Sequence, residues 1–340
     1  MKENKSEKKY ILGVDGGGTK TLCALYDLDG KKHIVQQYGP TNHEDFQNGF
    51  QELKQTLYKI LDDVLKRGNL SVDQIVYSVF GMAGVDTKSQ HRIISEMIRE
   101  YGILQFSLLN DSYLGIMAGS KSSMGICAIN GTGFCVTGLD LKGNAFQGGG
   151  IGQLTGDRGG GGYLFEQCIA HVYDALFKRG RATLMKEMLF TLLDIKEKTE
   201  FLEVIMNRMN QHQQELILNV NKLLYQAANE GDPVAVDILT DVGECYVKTI
   251  IGVTEQLHFE TGKKIPLILA GSQFTKAESQ ISIDTIKAGL KEYSYTNNKP
   301  EFDISVLKYP CVLGAVSYAL KQAGCKENLH GLVMREYDIE

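Results

Sequence analysis

Ile11-Leu12-Gly13-Val14-Asp15-Gly16-Gly17-Gly18-Thr19-Lys20 is the stretch that decides the fold. An apolar run ends in one carboxylate, three glycines, a hydroxyl and a cation. Apolar residues resume at Leu22, Ala24 and Leu25, and the segment closes on Asp29-Gly30. This reads as a β-hairpin whose tip is a glycine-rich anion cradle, because glycines let backbone N–H groups approach phosphate oxygens closely. Asp15, at the end of a buried strand, is placed to organise a hydrated Mg²⁺, an ion that favours carboxylate, water and phosphate oxygens. Thr19 and Lys20 stand where they can touch phosphate, although Lys20 reads equally well as a solvated side chain. The plain alternative is a tight hairpin with a spare acid.

The pattern occurs twice. Ile126-Cys127-Ala128-Ile129-Asn130-Gly131-Thr132-Gly133 is again an apolar strand, a polar residue and a glycine turn. Its return strand, Phe134 to Leu139, ends at Asp140-Leu141-Lys142-Gly143, as the first ends at Asp27-Leu28-Asp29-Gly30. Such internal similarity points to a duplicated domain. Two glycine hairpins, one with an acid and one with a hydroxyl, suit the phosphates of a nucleotide. No Walker A pattern opens a helix here. A Rossmann reading fits poorly, because a strand rather than a helix follows the glycines.

These motifs and their order resemble the actin, hexokinase and heat-shock-chaperone ATPase superfamily. Within it the chain looks like the N-acetylglucosamine kinase branch, grouped with the activator ATPases of the BadF/BadG/BcrA/BcrD family. The resemblance runs from residue 10 to about 322. It is carried by residues 13–20, Thr41-Asn42-His43, Gly81-Met82-Ala83-Gly84-Val85-Asp86, Asn110-Asp111, Gly131-Thr132-Gly133, Gly149 to Asp157, and Ala270-Gly271-Ser272. It implies an α/β protein of two duplicated ribonuclease-H-like (actin-like ATPase) domains with an interdomain cleft for nucleotide and sugar.

Composition is compatible with this. At 340 residues the chain is long enough for two cores. The net charge of −5, with acids and bases interspersed, gives no electrostatic argument for nucleic acid or an anionic membrane. No apolar stretch approaches the roughly 18 residues that a membrane span requires. The seven cysteines are odd in number and lack any Cys-x-x-Cys spacing, which reads as reduced thiols of a cytoplasmic protein. Residues 1–9 are too polar for a signal peptide.

Along the chain, the apolar face Phe46, Phe50, Leu53, Leu57, Ile60, Leu61 and Val64 marks an amphipathic helix. A buried strand over 75–80, a helix over 87–101, a strand over 106–109 and a short helix over 112–119 follow, and this alternation indicates a doubly wound sheet. Ligands should bind at the strand C-termini, where Asp15, Gly81 and Asp111 all fall. The second half reads as its own hairpin, a glycine-dense loop over 147–162, a mostly helical run over 163–259, and short strands near 265–269 and 302–307. Asp232-Pro233 is a helix start, with Asp232 as N-cap. The break at Gly119-Ser120-Lys121-Ser122-Ser123 divides the domains into 1–118 with about 323–340, and 119–322.

Phosphoryl transfer needs positioning, charge neutralisation and a base on the acceptor hydroxyl. Asp111 is the candidate base; spacing alone would equally make it the N-cap of the following helix, and the resemblance implies the catalytic role. Gly16, Gly17, Gly18, Thr19 and Lys20 with Gly131, Thr132 and Gly133 are the phosphate residues, and Gly271 and Ser272 match the superfamily's adenosine motif. For the sugar the resemblance implies Asn42, Gly84, Asp111, Gly150, Ile151, Gly152 and Asp157. Asn42 also suits a plain turn after Gly39-Pro40. Family members commonly carry Gly-Trp-Gly and Asp-Glu-Gly in the loop where this chain has Gly150-Ile151-Gly152 and Asp157-Arg158-Gly159, and the chain has no tryptophan. Arg158 suits a substrate carboxylate, the transferring phosphoryl group, or solvent.

The resemblance therefore implies an ATP- and Mg²⁺-dependent kinase of an amino sugar, acting on the 6-hydroxyl of N-acetylglucosamine, and a cytoplasmic homodimer. Alternatives are an N-acetylmuramic acid or glucosamine kinase, or an ATPase activator of a dehydratase or reductase. The activators carry cysteine ligands for an iron–sulfur cluster, and the cysteines here are not clustered. A sugar-responsive transcription regulator would need a helix-turn-helix ahead of Ile11, for which ten residues are too few.

Overall fold

The computed structural model describes residues 8–297, 299–325 and 329–337. Most of the polar start, residues 1–7, therefore lies outside them. The chain folds as two units. One runs to Gly125 and resumes at Leu307; the other spans Ile126–Val306.

The first unit opens with strands β1 (Tyr10–Gly16), β2 (Thr21–Asp27) and β3 (Lys32–Tyr38), then helix α1 (Gly49–Gly68), strand β4 (Ile75–Met82), helix α2 (Lys88–Tyr101), strand β5 (Phe106–Leu109) and helix α3 (Ser112–Gly119). The sheet order is β3-β2-β1-β4-β5. The first three strands are antiparallel, whereas β4 runs parallel to β1 and β5 parallel to β4. Successive side chains of a strand point to opposite faces. On β1, Leu12 and Val14 join a core beneath α1 and α2, and Ile11 joins a second core on the opposite face.

The second unit contains β6 (Gly125–Asn130), β7 (Phe134–Leu139), β8 (Ala145–Gly148), α4 (Gly160–Phe177), α5 (Leu184–Leu193), α6 (Phe201–Asn229), α7 (Pro233–Glu255), β9 (Ile265–Ala270), the single turn α8 (Ser272–Thr275), α9 (Ile281–Asn297) and β10 (Phe302–Val306). Its sheet order, β10-β9-β6-β7-β8, is the order of the first sheet with β6 in the place of β1. The likeness extends to the turns. Asp27 Oδ1 accepts from the N–H groups of Asp29 and Lys31 at 3.0 and 2.9 Å, and Asp140 Oδ1 from those of Lys142 and Asn144 at 2.9 Å each. Gly30 and Gly143 close these turns at the same φ of 81°. Both aspartates are used as side-chain mimics of a backbone turn.

Helices α10 (Val312–Gln322) and α11 (Leu329–Tyr337) return to the first unit. This corrects the boundary read from the sequence, which gave 119–322 to the second domain. The reason is local packing. α10 lies across β1 and β4, and a Cβ on Gly13 would stand 3.1 Å from Ala315 Cβ and from Val312 O. Buried Val312, Ala315, Val316 and Ala319 supply the second face of the first sheet. A terminal apolar helix carries no label of the sheet that it covers.

Two strands were not legible in the sequence. β3 carries the polar run Lys32-His33 and Gln36-Gln37, and β8 is only four residues long. Both sit at sheet edges, where apolar alternation is weakest. α4 begins at Gly160 rather than Tyr163, inside a glycine run that disfavours helix; tertiary hydrogen bonds described below override that propensity.

Candidate active site

In the first unit, strand register brings the predicted residues to one sheet edge. Asp15 pairs with Gly81 in the β1–β4 ladder, and Gly81 pairs with Leu109 in the β4–β5 ladder. Asp111 follows two residues later, at the start of α3. Gly81 is needed for packing, because a Cβ there would lie 2.4 Å from Leu114 Cδ1. The hairpin tip is held by Gly17 N–H donating to Lys20 O at 3.0 Å and by Thr41 N–H donating to Gly17 O at 3.1 Å. Gly16 would clash with Thr41 Oγ1 (2.4 Å) and Met82 Sδ (2.8 Å), and Gly18 would press on Asp45 Oδ2 (2.9 Å). Their lack of a side chain thus admits the 41–45 turn. Gly18, Thr19 and Lys20 are exposed.

The carboxyls at this edge are electrostatically unusual. Asp15 is pushed up to about 7, first by burial and then by the Asp111 carboxylate, with Lys20 opposing. Asp111 is pushed up to about 6, again chiefly by burial, with a hydrogen bond from the Ser112 backbone N–H opposing and Asp86 adding. Asp86 is raised by burial and by Glu44. Such clusters of perturbed carboxyls concentrate at functional sites. Among the described residues no group of three or more His, Cys, Asp or Glu side chains could hold a metal ion. An ion held through water by Asp15 is compatible with that donor set.

Asp111 does not cap α3; its side chain makes no capping hydrogen bond. Asn110 does so instead, its Oδ1 accepting from Ser112 N–H (2.9 Å) and Ser112 Oγ–H (2.5 Å). Asn42 is a turn residue in this structure. Its Oδ1 accepts from Glu44 N–H (3.2 Å) and its Nδ2 donates to Asp45 Oδ2 (3.0 Å). Gly84, at φ 74°, comes within Cβ distance of Asn42 Oδ1 (2.7 Å) and His43 Cε1 (2.7 Å). His43 is buried, stacks on Phe50 at 4.0 Å, and leaves Nδ1 without a partner.

In the second unit three glycine segments touch. Gly131 N–H donates to Gly133 O at 3.1 Å, and Gly161 N–H donates to Gly131 O at 2.8 Å. Asn130, the counterpart of Asp15, is buried, and its Oδ1 accepts from Gly160 N–H at 2.7 Å. A Cβ on Gly271 would lie 2.4 Å from Asn130 O, and one on Gly160 would lie 2.5 Å from Thr132 O. Both have positive φ, 88° and 85°. Thr132 and Ser272 are exposed. Replacing Gly271 by Ala should therefore cost about 1–3 kcal/mol, read as a fall of several degrees in Tm; an unchanged Tm would refute this close approach.

The loop after β8 is organised by Asp157. Its Oδ2 accepts from the N–H groups of Gly150 (2.8 Å) and Gly152 (2.9 Å), and its Oδ1 from Thr155 Oγ1–H (2.9 Å). The carboxylate predicted to meet the sugar is thus spent on shaping residues 149–156. Ile151 is 65% exposed. Arg158 does not stand free for a substrate anion: it pairs with Asp241, which also accepts from Tyr163 Oη–H at 3.1 Å. Sequence reading placed Asn130, Asp86, Asn110 and His43 within its motifs but gave them no role, since each reads there as an ordinary polar residue.

Two sheets of one strand order, each with a polar-tipped first hairpin, define a duplicated actin-like ATPase fold. The chain belongs to the BadF/BadG/BcrA/BcrD ATPase family, whose pattern matches residues 12–319; ATP is the nucleotide of that family. It is 28% identical over 77% of its length to an N-acetylmuramic acid/N-acetylglucosamine kinase of Clostridium acetobutylicum, covering 85% of that protein. It is 24% identical to an N-acetyl-D-glucosamine kinase of Dictyostelium discoideum over 79% of this chain and 86% of the relative. Among solved structures, a candidate N-acetylglucosamine kinase of Chromobacterium violaceum superposes with a TM-score of 0.67 at 20% identity, covering 93% of this chain and 99% of the other. No helix among the described residues is long and apolar enough to cross a membrane.

Proposed function

We propose that this protein transfers the γ-phosphoryl group of ATP to a hydroxyl of an amino sugar, with the 6-hydroxyl of N-acetylglucosamine as acceptor. The observation that carries the reading is the convergence of Asp15, Gly81 and Asp111 at the C-terminal edge of β1, β4 and β5. Asp111 accepts the acceptor's proton as its oxygen bonds to the γ-phosphorus, and the bridging bond to ADP breaks. The proton leaves late in a loose transition state, so Asp111 chiefly orients the hydroxyl. Mg²⁺, held by Asp15 through water, would neutralise charge on the phosphates. Gly16, Gly17, Gly18, Thr19, Lys20, Gly131, Thr132 and Gly133 are assigned to the phosphates, and Gly271 and Ser272 to the adenosine. Asn42, Gly84, Gly150, Ile151 and Gly152 are assigned to the sugar, with Asp157 shaping the loop. We include in the proposal a cytoplasmic homodimer; none of the seven cysteines forms a disulfide, which supports a reducing compartment.

N-acetylmuramic acid is the second acceptor to consider, because the Clostridium relative is named for both sugars. The pairing of Arg158 with Asp241 supports the neutral sugar, since this guanidinium is already engaged by a carboxylate. ADP release with Mg-ATP is the test, against N-acetylglucosamine, N-acetylmuramic acid, glucosamine, N-acetylmannosamine and glucose. The expected result is a kcat/KM for N-acetylglucosamine at least tenfold above that for glucosamine and glucose. Turnover unaffected by every sugar would end the kinase reading.

A further inference from the structure

We propose that Asp86 and Asn110 are positioning residues for Asp111, acting as an amide lock; the inference rests on the reading of Asp111 as the base. Asn110 stands between the turn after β4 and the first residue of α3. Its Nδ2 donates to Asp86 Oδ1 at 2.9 Å, and its Oδ1 accepts from Ser112 N–H at 2.9 Å and from the Ser112 hydroxyl at 2.5 Å. Only one orientation of the amide satisfies both ends. A carboxylate can only accept and a backbone N–H can only donate, so a flipped amide would face oxygen with oxygen and N–H with N–H. Asp86 thereby fixes which way Asn110 points, and Asn110 carries the capping bond that would otherwise fall to Asp111. The base is left without a capping bond to α3, on a backbone pinned one residue to each side.

Asp86 is itself anchored. Its N–H and that of Thr87 donate to Gln90 Oε1 at 3.1 and 2.8 Å. Gln90 Nε2 donates to Glu44 Oε1 at 3.2 Å, and Glu44 N–H donates to Asn42 Oδ1 at 3.2 Å. A continuous chain of hydrogen bonds thus joins the 42–45 turn, the N-terminus of α2 and the N-terminus of α3. A group held to within a fraction of an ångström acts mainly on kcat, because orientation of the base matters in the transition state.

The test is steady-state kinetics of Asp86→Ala, Asp86→Asn, Asn110→Ala and the double Asp86→Ala/Asn110→Ala variant, with Tm measured for each. Asp86→Ala should lower kcat about 10–100-fold with KM for ATP within about twofold. Asp86→Asn, whose Oδ1 still accepts from Asn110, should recover kcat to within about threefold of wild type. The double variant should be no worse than the poorer single variant, because the two residues form one unit. A kcat for Asp86→Ala within twofold of wild type overturns the proposal, as does additivity in the double variant or a loss in Asp86→Asn equal to that in Asp86→Ala. Failure of the base assignment is separately visible: Asp111→Ala would then retain activity while the wild type turns over.

Discussion

Asp111→Ala is expected to lower kcat for sugar phosphorylation by about 10²–10⁴-fold, the usual contribution of a positioned proton acceptor. KM for ATP should stay within about threefold, since Asp111 is assigned to the acceptor and not to the nucleotide. The variant should remain folded, because its carboxyl makes no capping bond and α3 keeps the one supplied by Asn110. The same carboxyl sets a pH limb. It is pushed up to about 6, chiefly by burial, and a base must be ionised to work. The wild-type rate should therefore fall about tenfold per pH unit below 6, and the residual rate of Asp111→Ala should lack this limb. Retention of more than a tenth of wild-type kcat would remove Asp111 from the role.

Asp15→Asn should separate stability from activity. The folded carboxyl titrates at about 7 against an ordinary 3.8, because burial and the Asp111 carboxylate disfavour its charge. A raised carboxyl pKa means that the folded state binds the extra proton. Its contribution to stability is complete below about pH 4 and is lost as pH rises through 7. At pH 8 without divalent cation, the charged carboxyl costs up to about 4 kcal/mol, at 1.36 kcal/mol per pH unit. Asp15→Asn should then be the more stable protein at pH 8, and the advantage should vanish near pH 4. Mg-ATP should reverse the order, raising the Tm of the wild type and not that of the variant, whose turnover should fall at least a hundredfold. Equal Tm values at pH 8 would mean that water reaches the carboxyl freely and that its burial has no energetic consequence.

The two carboxyls share one logic. Burial disfavours the charge of each, and the Asp111 carboxylate adds to the cost of charging Asp15. Natural sequences tolerate such local conflicts where function requires them. Asn130 makes the contrast. It occupies the place of Asp15 in the second sheet, is neutral, and accepts from Gly160 N–H at the start of α4. One half of the duplication keeps an unpaired acid; the other has turned the same position into a structural tie.

Much of the fold was legible from residue order. The alternation of β1 and β2, the heptad-like face of α1, the Asp232 cap and the repeated Asp-x-x-Gly closures are local, and each residue there reports its own environment through hydrophobic period or turn chemistry. Asp232 does accept from Val234 N–H and Ala235 N–H at 2.9 Å each. The polar residue closing each first strand was likewise readable, because a duplicated sequence shows its own repeat. What the sequence by itself determined is therefore the class of fold and the two glycine hairpins. Tertiary structure alone decided that α10 covers the first sheet, that Asn110 rather than Asp111 caps α3, that Asp157 shapes its loop, and that Arg158 is already paired with Asp241. For α10 and for Arg158 the physical reason is the same. Hydrophobic period and turn propensity act over a few neighbouring residues, whereas the partner of a buried polar group or an apolar helix is selected by whatever distant segment the sheet brings against it.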